Sequence, residues 1–149
     1  MEHLMIEQLK ALTDGIVHPV ANLANASALL WEHLDRLNWA GFYRVVGEKL
    51  VLGPFQGKTA CIEIPMGKGV CGTAAKEDRT LVVPDVHSFR GHIACDSASR
   101  SEIVVPLHKD GRVVGVMDLD SPFPDRFSQE DRLLLESFAS VLERAEITY

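Results

Sequence analysis

The sequence contains no run of lysine or arginine, and its 21 acidic residues outnumber its 15 basic residues to give a formal net charge of −6. This charge disfavours nucleic acid as a partner, because phosphates are bound by basic patches. No apolar stretch approaches the roughly 18 residues that a membrane-spanning helix needs. The first residues also lack the basic and apolar regions of a signal peptide. We therefore expect a cytoplasmic protein that binds neither nucleic acid nor membrane.

Cysteine is also scarce, with only Cys61, Cys71 and Cys95. An odd number disfavours a structural disulfide framework and indicates free, metal-bound or catalytic thiols. Cys95 lies in the polar stretch 91–97 (GHIACDS), which is typical of reactive rather than buried structural cysteines. Cys71 lies near the start of a predicted helix, where the N-terminus favours a thiolate, whereas Asp96 disfavours one at Cys95. By charge alone, Cys71 is the better candidate for a low thiol pKa.

A zinc site is an alternative use of these thiols. The three cysteines together with His87 or His92 would supply enough ligands. The sequence has no pair of cysteines separated by two residues, however, and loop histidines are more often solvated polar residues than ligands. We therefore expect no metal.

The order of the periodic segments predicts one domain, 1–149, with an α+β fold. Residues 4–13 and the stretch after Pro19 have helical periodicity, so the segment of about 1–37 is expected to be helical. The predicted elements that follow are strands at 39–46, 49–55 and 59–64, a short helix at 70–77, a strand at 81–83, an aperiodic stretch at 84–101, strands at 102–108 and 112–120, and a closing helix after Ser128. This order indicates a central antiparallel sheet with the N- and C-terminal helices on one face.

Three carboxylates, Glu102, Asp118 and Asp120, lie on the two strongest predicted strands. Asp118 and Asp120 share a face because strand side chains alternate. A three-residue loop at 109–111 would pair Glu102 with Asp118 and place all three acids on that face, whereas a two-residue loop would send Glu102 to the opposite one. We predict the three-residue register. Such a cluster binds an ammonium group and, since like charges raise one another's pKa, can also donate a proton.

Seven segments together resemble the free methionine-(R)-sulfoxide reductases, enzymes of GAF fold that reduce the free amino-acid sulfoxide. They are 38–43 (NWAGFY), 52–57 (LGPFQG), 67–74 (GKGVCGTA), 83–87 (VPDVH), 91–96 (GHIACD), 101–107 (SEIVVPL) and 118–122 (DLDSP). The resemblance covers about residues 20–142. It implies a single GAF domain whose active-site loops lie on the sheet face opposite the terminal helices. Because most GAF domains are ligand-sensing modules, a sensor is the rival interpretation.

The resemblance also implies a reaction cycle. The cysteine at Cys95 attacks the sulfoxide sulfur, methionine leaves, and the resulting sulfenic acid condenses with a second thiol to an intramolecular disulfide. Cys61 and Cys71 are both candidates for that second thiol, and the sequence does not separate them. Thioredoxin or a similar dithiol then restores the enzyme. No cofactor is implied, and the family suggests a homodimer.

The roles of individual site residues are hypotheses. We expect Glu102 and Asp120 to hold the sulfoxide oxygen and Asp118 to bind the substrate ammonium. Trp39 and Tyr43, on one face of a strand, are expected to cover the substrate methyl and chain, with core packing as the alternative for Trp39. The backbone amides that open the short helix are expected to bind the substrate carboxylate; they belong to Gly69, Val70 and Cys71.

Overall fold

The computed structural model describes residues 2–93 and 97–149, with backbone only for Glu2 and His3. Its elements, in chain order, are α1 (Glu2–Thr13), α2 (Pro19–His33), β1 (Trp39–Val46), β2 (Lys49–Gly57), β3 (Glu63–Pro65), α3 (Gly69–Glu77), β4 (Leu81–Val83), a 3-10 turn (Val86–Ser88), β5 (Ser101–Lys109), β6 (Arg112–Ser121) and α4 (Gln129–Glu143). Among these described residues no helix is long and apolar enough to cross a membrane.

The six strands form one sheet in the order β3-β2-β1-β6-β5-β4, and every neighbouring pair is antiparallel. The predicted α+β class is confirmed. Because strand side chains alternate, the sheet has two distinct faces. One face carries Phe42, Ile103 and Met117 and is covered by α1, α2 and α4. The other carries Tyr43 and Val116 and is covered in part by α3.

The helix ends follow from local sequence. The Ser128 side chain accepts from the Asp131 amide while the Asp131 carboxylate accepts from the Ser128 amide, a capping box that starts α4 as predicted. Pro19 occupies the first turn of α2. That helix ends at His33, before the predicted limit near residue 37, because Leu34 is extended and Arg36 has a positive φ of 58°.

The predicted β5–β6 register is wrong. Glu102 pairs with Asp120 and not with Asp118, and Lys109 pairs with Arg112 across a two-residue turn. A shift between Leu107 and His108 then inserts one extra residue into β6, because Leu107 faces Gly115 while His108 faces Val113. The two-residue turn and the bulge offset each other, so Glu102 still lies on the same face as the two aspartates.

The predicted strand at 59–64 is mostly a loop. Only Glu63–Pro65 forms β3, and it pairs with the start of β2. Residue 62 is joined to β2 by the Leu52 amide, which donates to the Ile62 carbonyl at 2.9 Å. The carbonyls of Lys58 and Cys61 accept instead from the side chains of Trp39 and Tyr43. The loop is therefore tied to the pocket face of β1 rather than to a strand.

Candidate active site

A pocket opens on the sheet face that the three long helices leave uncovered. Its floor is β1, β5 and β6, and its walls are the start of α3 and the loops around residues 60 and 92. The lining comprises Trp39, Tyr43, Thr59, Ala60, Ile64, Lys68, Gly69, Val70, Cys71, His92, Ile93, Ser99, Glu102, Asp118 and Asp120. The cavity together with its open mouth encloses about 540 Å³ of empty space.

The three predicted acids meet on the pocket floor. Asp120 faces Trp39 on one neighbouring strand and Glu102 on the other, and Asp118 lies two residues before it on the same face. Their exposed fractions are 7% for Glu102, 5% for Asp118 and 9% for Asp120. Carboxylates this deeply buried are rare unless they are paired or bind a ligand.

Burial changes the charge of this cluster. It raises the pKa of Glu102 well above its usual range, and the nearby Asp118 and Asp120 raise that pKa further. Burial also raises the pKa of Asp118. Desolvation and like charge both disfavour ionisation, so the folded pocket favours the protonated form of the cluster. Within the described part of the chain, Asp118 Oδ1 is buried without a hydrogen-bond partner, as expected of an atom that awaits a ligand donor.

Cys71 lies against this cluster. Its buried thiol is 3.9 Å from Glu102 Oε2. Burial raises the pKa of Cys71 well above its ordinary value, and Asp118 and Glu102 raise it further. The expectation of a low thiol pKa at Cys71 is therefore wrong. The helix N-terminus is outweighed by desolvation and adjacent acids, which keep this sulfur protonated.

The other two cysteines differ from Cys71. Cys61 is disulfide-bonded and partly buried, in the loop between β2 and β3. Cys95 lies outside the described residues. The predictions that depend on its position, namely its place in the pocket and the alternative zinc site, therefore also fall outside the described part of the chain. Ile93 and Ser99, which lie two residues before and four residues after Cys95 in the chain, both line the pocket.

Three of the pocket groups have the spacing of metal ligands. One ligand atom each from Cys71, Glu102 and Asp118 lies within 4.8 Å of the others. A thiol and two carboxyls would suit a divalent cation. The same atoms are also placed to receive an ammonium and a polar oxygen, which is the use predicted from the sequence.

Trp39 and Tyr43 form an aromatic wall of the pocket. Their ring centroids are 5.9 Å apart, and Phe55 stacks on Trp39 at 5.1 Å. Trp39 Nε1 donates to the Lys58 carbonyl at 3.2 Å, and the Tyr43 hydroxyl donates to the Cys61 carbonyl at 2.8 Å. Burial and the neighbouring Asp118 raise the pKa of Tyr43, so its hydroxyl remains a donor. Trp39 both lines the pocket and packs in the core of this face, because it is only 3% exposed.

The start of α3 supplies the remaining wall. Gly69 has a φ of +62°, and a side chain there would meet the Ile93 side chain at 3.2 Å, so glycine is favoured at this position. No side chain caps this helix, and the first amides of a helix have no acceptor within it, which suits an anion. The sequence reasoning did not include Lys68, which lines the pocket beside these amides. Its position just before the predicted helix was the available signal.

A family model for the GAF domain matches residues 8–145 of the chain. The free methionine-R-sulfoxide reductase of Escherichia coli is 51% identical over 138 residues, which cover 93% of this chain and 84% of that protein. These matches span both the sheet and the pocket.

Solved structures agree with these sequence matches. The structure of fRMsr of Staphylococcus aureus in its reduced form is 50% identical, with a TM-score of 0.94 over 99% of this chain and 95% of that one. The free methionine-R-sulfoxide reductase from Neisseria meningitidis, solved in complex with its substrate, is 45% identical, with a TM-score of 0.94 over 97% of this chain and 87% of that one. The chain therefore belongs to the GAF-domain family and, within it, to the free methionine-R-sulfoxide reductases.

Proposed function

We propose that this protein is an oxidoreductase that reduces free L-methionine-(R)-sulfoxide to methionine. The observation that carries the proposal is the buried cluster of Glu102, Asp118 and Asp120 beneath an aromatic wall. An amino-acid sulfoxide offers an ammonium, a polar oxygen and an apolar methyl to such a pocket. The relatives named for this activity cover nearly the whole chain. A ligand-sensing module is the second candidate, since GAF domains also serve as sensors.

In the proposed first step the Cys95 sulfur attacks the sulfur of the substrate. The thiol and the sulfoxide become a cysteine sulfenic acid and methionine, so the oxygen moves to the enzyme and the cysteine is oxidised as the substrate is reduced. Ile93 and Ser99 support this assignment, because these chain neighbours of Cys95 line the pocket. Cys71 is less suited to be the nucleophile, because burial and adjacent acids raise its pKa.

The bond between the substrate sulfur and its oxygen breaks only if the oxygen is protonated. We assign Glu102 as the proton donor and Asp120 as a second group that holds the oxygen. The raised pKa of Glu102 supports this role, because a carboxyl group that keeps its proton at neutral pH can donate it. Asp118 binds the substrate ammonium in this scheme. Its unpartnered Oδ1 would gain a donor, and the incoming positive charge would favour the ionised form.

The rest of the substrate fits the remaining walls. The amides of Gly69, Val70 and Cys71 at the start of α3 are our site for the substrate carboxylate. The rings of Trp39 and Tyr43 cover the methyl and the chain. A peptide-linked sulfoxide has neither a free ammonium nor a free carboxylate, so it would leave buried groups unpaired and bind poorly.

We assign Cys61 as the resolving residue, which condenses with the Cys95 sulfenic acid. Its disulfide-bonded state supports this choice, as does the free, buried thiol of Cys71. A dithiol protein such as thioredoxin then reduces the disulfide by exchange. Such a cycle suits the cytoplasm, where thiols are kept reduced between turnovers.

We also propose a homodimer. The outer surfaces of α1, α2 and the turn between them expose several large apolar residues, which a second copy would cover. They are Leu4, Leu12, Ile16, Val17, Val20 and Trp31. Sedimentation at micromolar concentration that gives only the 16.5 kDa monomer would contradict this assignment.

The deciding experiment compares free and peptide-linked methionine sulfoxide, each as R and S epimers, with dithiothreitol as reductant. We expect turnover of the free R form alone and a loss of more than about 10³-fold in Cys95→Ser. Cys71→Ser is the matched control and should keep more of the activity. Binding of the sulfoxide without its consumption would favour the sensor, and full turnover by Cys95→Ser would end the proposed cycle.

A further inference from the structure

The loop that carries Cys61 is held by two pocket residues. It runs from the end of β2 at Gly57 to the start of β3 at Glu63. At one end the Trp39 Nε1 donates to the Lys58 carbonyl, and at the other the Tyr43 hydroxyl donates to the carbonyl of Cys61 itself. Both donors come from β1, in the middle of the sheet.

Tyr43 is the more direct of the two supports. Its side chain is buried, and its backbone pairs with both neighbouring strands, opposite Leu52 and Val116. A phenol has one proton to donate, and at 2.8 Å that proton is committed to the Cys61 carbonyl. The Tyr43 hydroxyl therefore acts on the Cys61 loop, whereas its ring faces the pocket.

We infer that Tyr43 is a positioning residue for the disulfide step, through its hydrogen bond to the backbone of Cys61. The inference rests on the proposed function. In this step the Cys95 sulfenic acid and the Cys61 thiol form an S–S bond and release water, which carries away the oxygen taken from the substrate. The hydroxyl is not needed when methionine is formed, because that step involves Cys95 and the acids.

The geometry of a disulfide explains why such a support matters. Two cysteines form a bond only when their Cα atoms are about 4.4–6.8 Å apart and their Cβ atoms face each other. Cys61 lies in a partly exposed loop outside the strand ladder, so its backbone would otherwise sample many positions. Two side-chain donors hold this loop in the disulfide-bonded state that the structure shows. The same restraint is inferred for the reduced loop, before the sulfenic acid is formed.

The test is Tyr43→Phe, which keeps the ring and removes only the donor. Because the ring of Tyr43 lines the binding pocket, methionine formation is measured in the same single turnover with free methionine-(R)-sulfoxide, as the internal reference for any effect on substrate binding. Disulfide formation, followed by thiol loss and mass spectrometry, should slow roughly tenfold, the effect of losing one hydrogen bond. The sulfenic acid should accumulate and be trapped by a carbon nucleophile such as dimedone. Tyr149→Phe, the chain's other tyrosine and not part of the pocket lining, is the control and should match wild type.

The Cys61→Ser variant provides a second test. In a Cys61→Ser background, adding Tyr43→Phe should not change the lifetime of the sulfenic acid, because the hydroxyl acts only through residue 61. A further change in that background would overturn the inference, as would wild-type disulfide formation in Tyr43→Phe. Equal slowing of methionine formation and disulfide formation would also overturn it. If wild-type enzyme forms no methionine, the proposed function fails instead.

Discussion

The proton that we assign to Glu102 can be removed without changing the shape of the side chain. In Glu102→Gln the amide keeps the volume and one acceptor but cannot act as an acid. We expect kcat to fall by about 10²–10⁴-fold, the usual contribution of general acid catalysis, with a much smaller change in KM. The measurement is steady-state reduction of free methionine-(R)-sulfoxide, and Glu63→Gln on the exposed edge strand is the control. A variant in which only KM moves would show that Glu102 binds and does not donate.

The pH profile gives the same assignment an independent check. The folded pKa of Glu102 is raised, so its protonated form persists above the ordinary range and is lost as pH rises through the shifted value. Wild-type kcat should decline on that alkaline side, and Glu102→Gln should lack the decline. Because the acids titrate together, the apparent pKa describes the cluster and not one residue.

At the residue scale, the sequence pointed to five residues that line the pocket, namely Glu102, Asp118, Asp120, Trp39 and Tyr43. It did not predict the raised thiol pKa of Cys71. Alternation along β6 is enough to group Asp118 and Asp120, but Glu102 shares their face only because the bulge offsets the two-residue turn. Burial raises the pKa of Cys71 most, and Asp118 and Glu102, which are distant in the chain, raise it further, against the effect of the local helix end. The bond from Tyr43 to the Cys61 carbonyl also crosses 18 positions, and no pattern in the sequence indicates it.

At the scale of elements, the β5–β6 hairpin shows how two local features combine. Asp110 and Gly111 both have positive φ, as a two-residue hairpin turn requires, and that pair was the available signal. The compensating bulge has no comparable signature. It lies next to Gly115, where an added Cβ would be 2.5 Å from the Tyr43 carbonyl. Glycine at 115 therefore allows β6 to approach β1 closely beside the bulge, a contact that only the assembled sheet reveals.

His108 joins three elements, because its own strand β5 is linked through its side chain to the ends of α3 and α4. Its ring nitrogens lie 2.6 Å from Asp78 at the end of α3 and 2.6 Å from Glu143 in the last turn of α4. Burial works against its charged form, but the hydrogen bonds to Asp78 and Glu143 outweigh burial and raise the pKa of His108. Two carboxylate partners require both nitrogens to carry protons, so the bridge is an imidazolium.

We therefore expect His108→Gln to destabilise the fold in a pH-dependent way. A raised histidine pKa adds stability that is fully present below about 6.5, the ordinary value, and is lost as pH rises through the folded pKa. The side chain is 37% exposed, so solvent screens the bridge and we expect a loss of only about 1–3 °C in Tm at pH 5.5, smaller still at pH 9. Thermal melts at both pH values measure this. The exposed His18→Gln is the control, and an equal loss at both pH values would contradict the imidazolium bridge.

At the scale of the molecule, the two faces of the sheet differ: one packs against the main apolar core, and the other carries the pocket. The terminal helices cover one face with a large apolar core, which the helical and strand periodicities predicted correctly. The pocket face has a smaller core and carries the buried acids. The layers could be predicted because each element's pattern is local. The energetic cost of the acid cluster could not be predicted, because it depends on how deeply the folded pocket buries the three carboxyl groups.

That cost leads to a prediction about the whole fold. Asp118 is 5% exposed, and its Oδ1 has no hydrogen-bond partner among the described residues. Hydrogen bonds with Glu102 and Cys71 favour its carboxylate, but burial outweighs them. Because burial raises its pKa, the folded state holds this proton more tightly than the unfolded chain. Stability linked to Asp118 is then greatest below its ordinary pKa and is lost as pH rises through the shifted value.

Asp118→Asn removes the charge while keeping the shape, so it should be more stable than wild type at pH 8 by about 1–2 kcal/mol. The difference should shrink towards zero near pH 4, where both side chains are neutral. Urea unfolding at the two pH values measures it, with Asp110→Asn in the exposed β5–β6 turn as the control. The same variant should raise KM for the free sulfoxide, because the ammonium loses its counter-charge, a trade of activity for stability that is common at active sites. A variant that is less stable than wild type at pH 8 would mean that the Asp118 carboxylate is already satisfied, and that it does not await a cationic ligand.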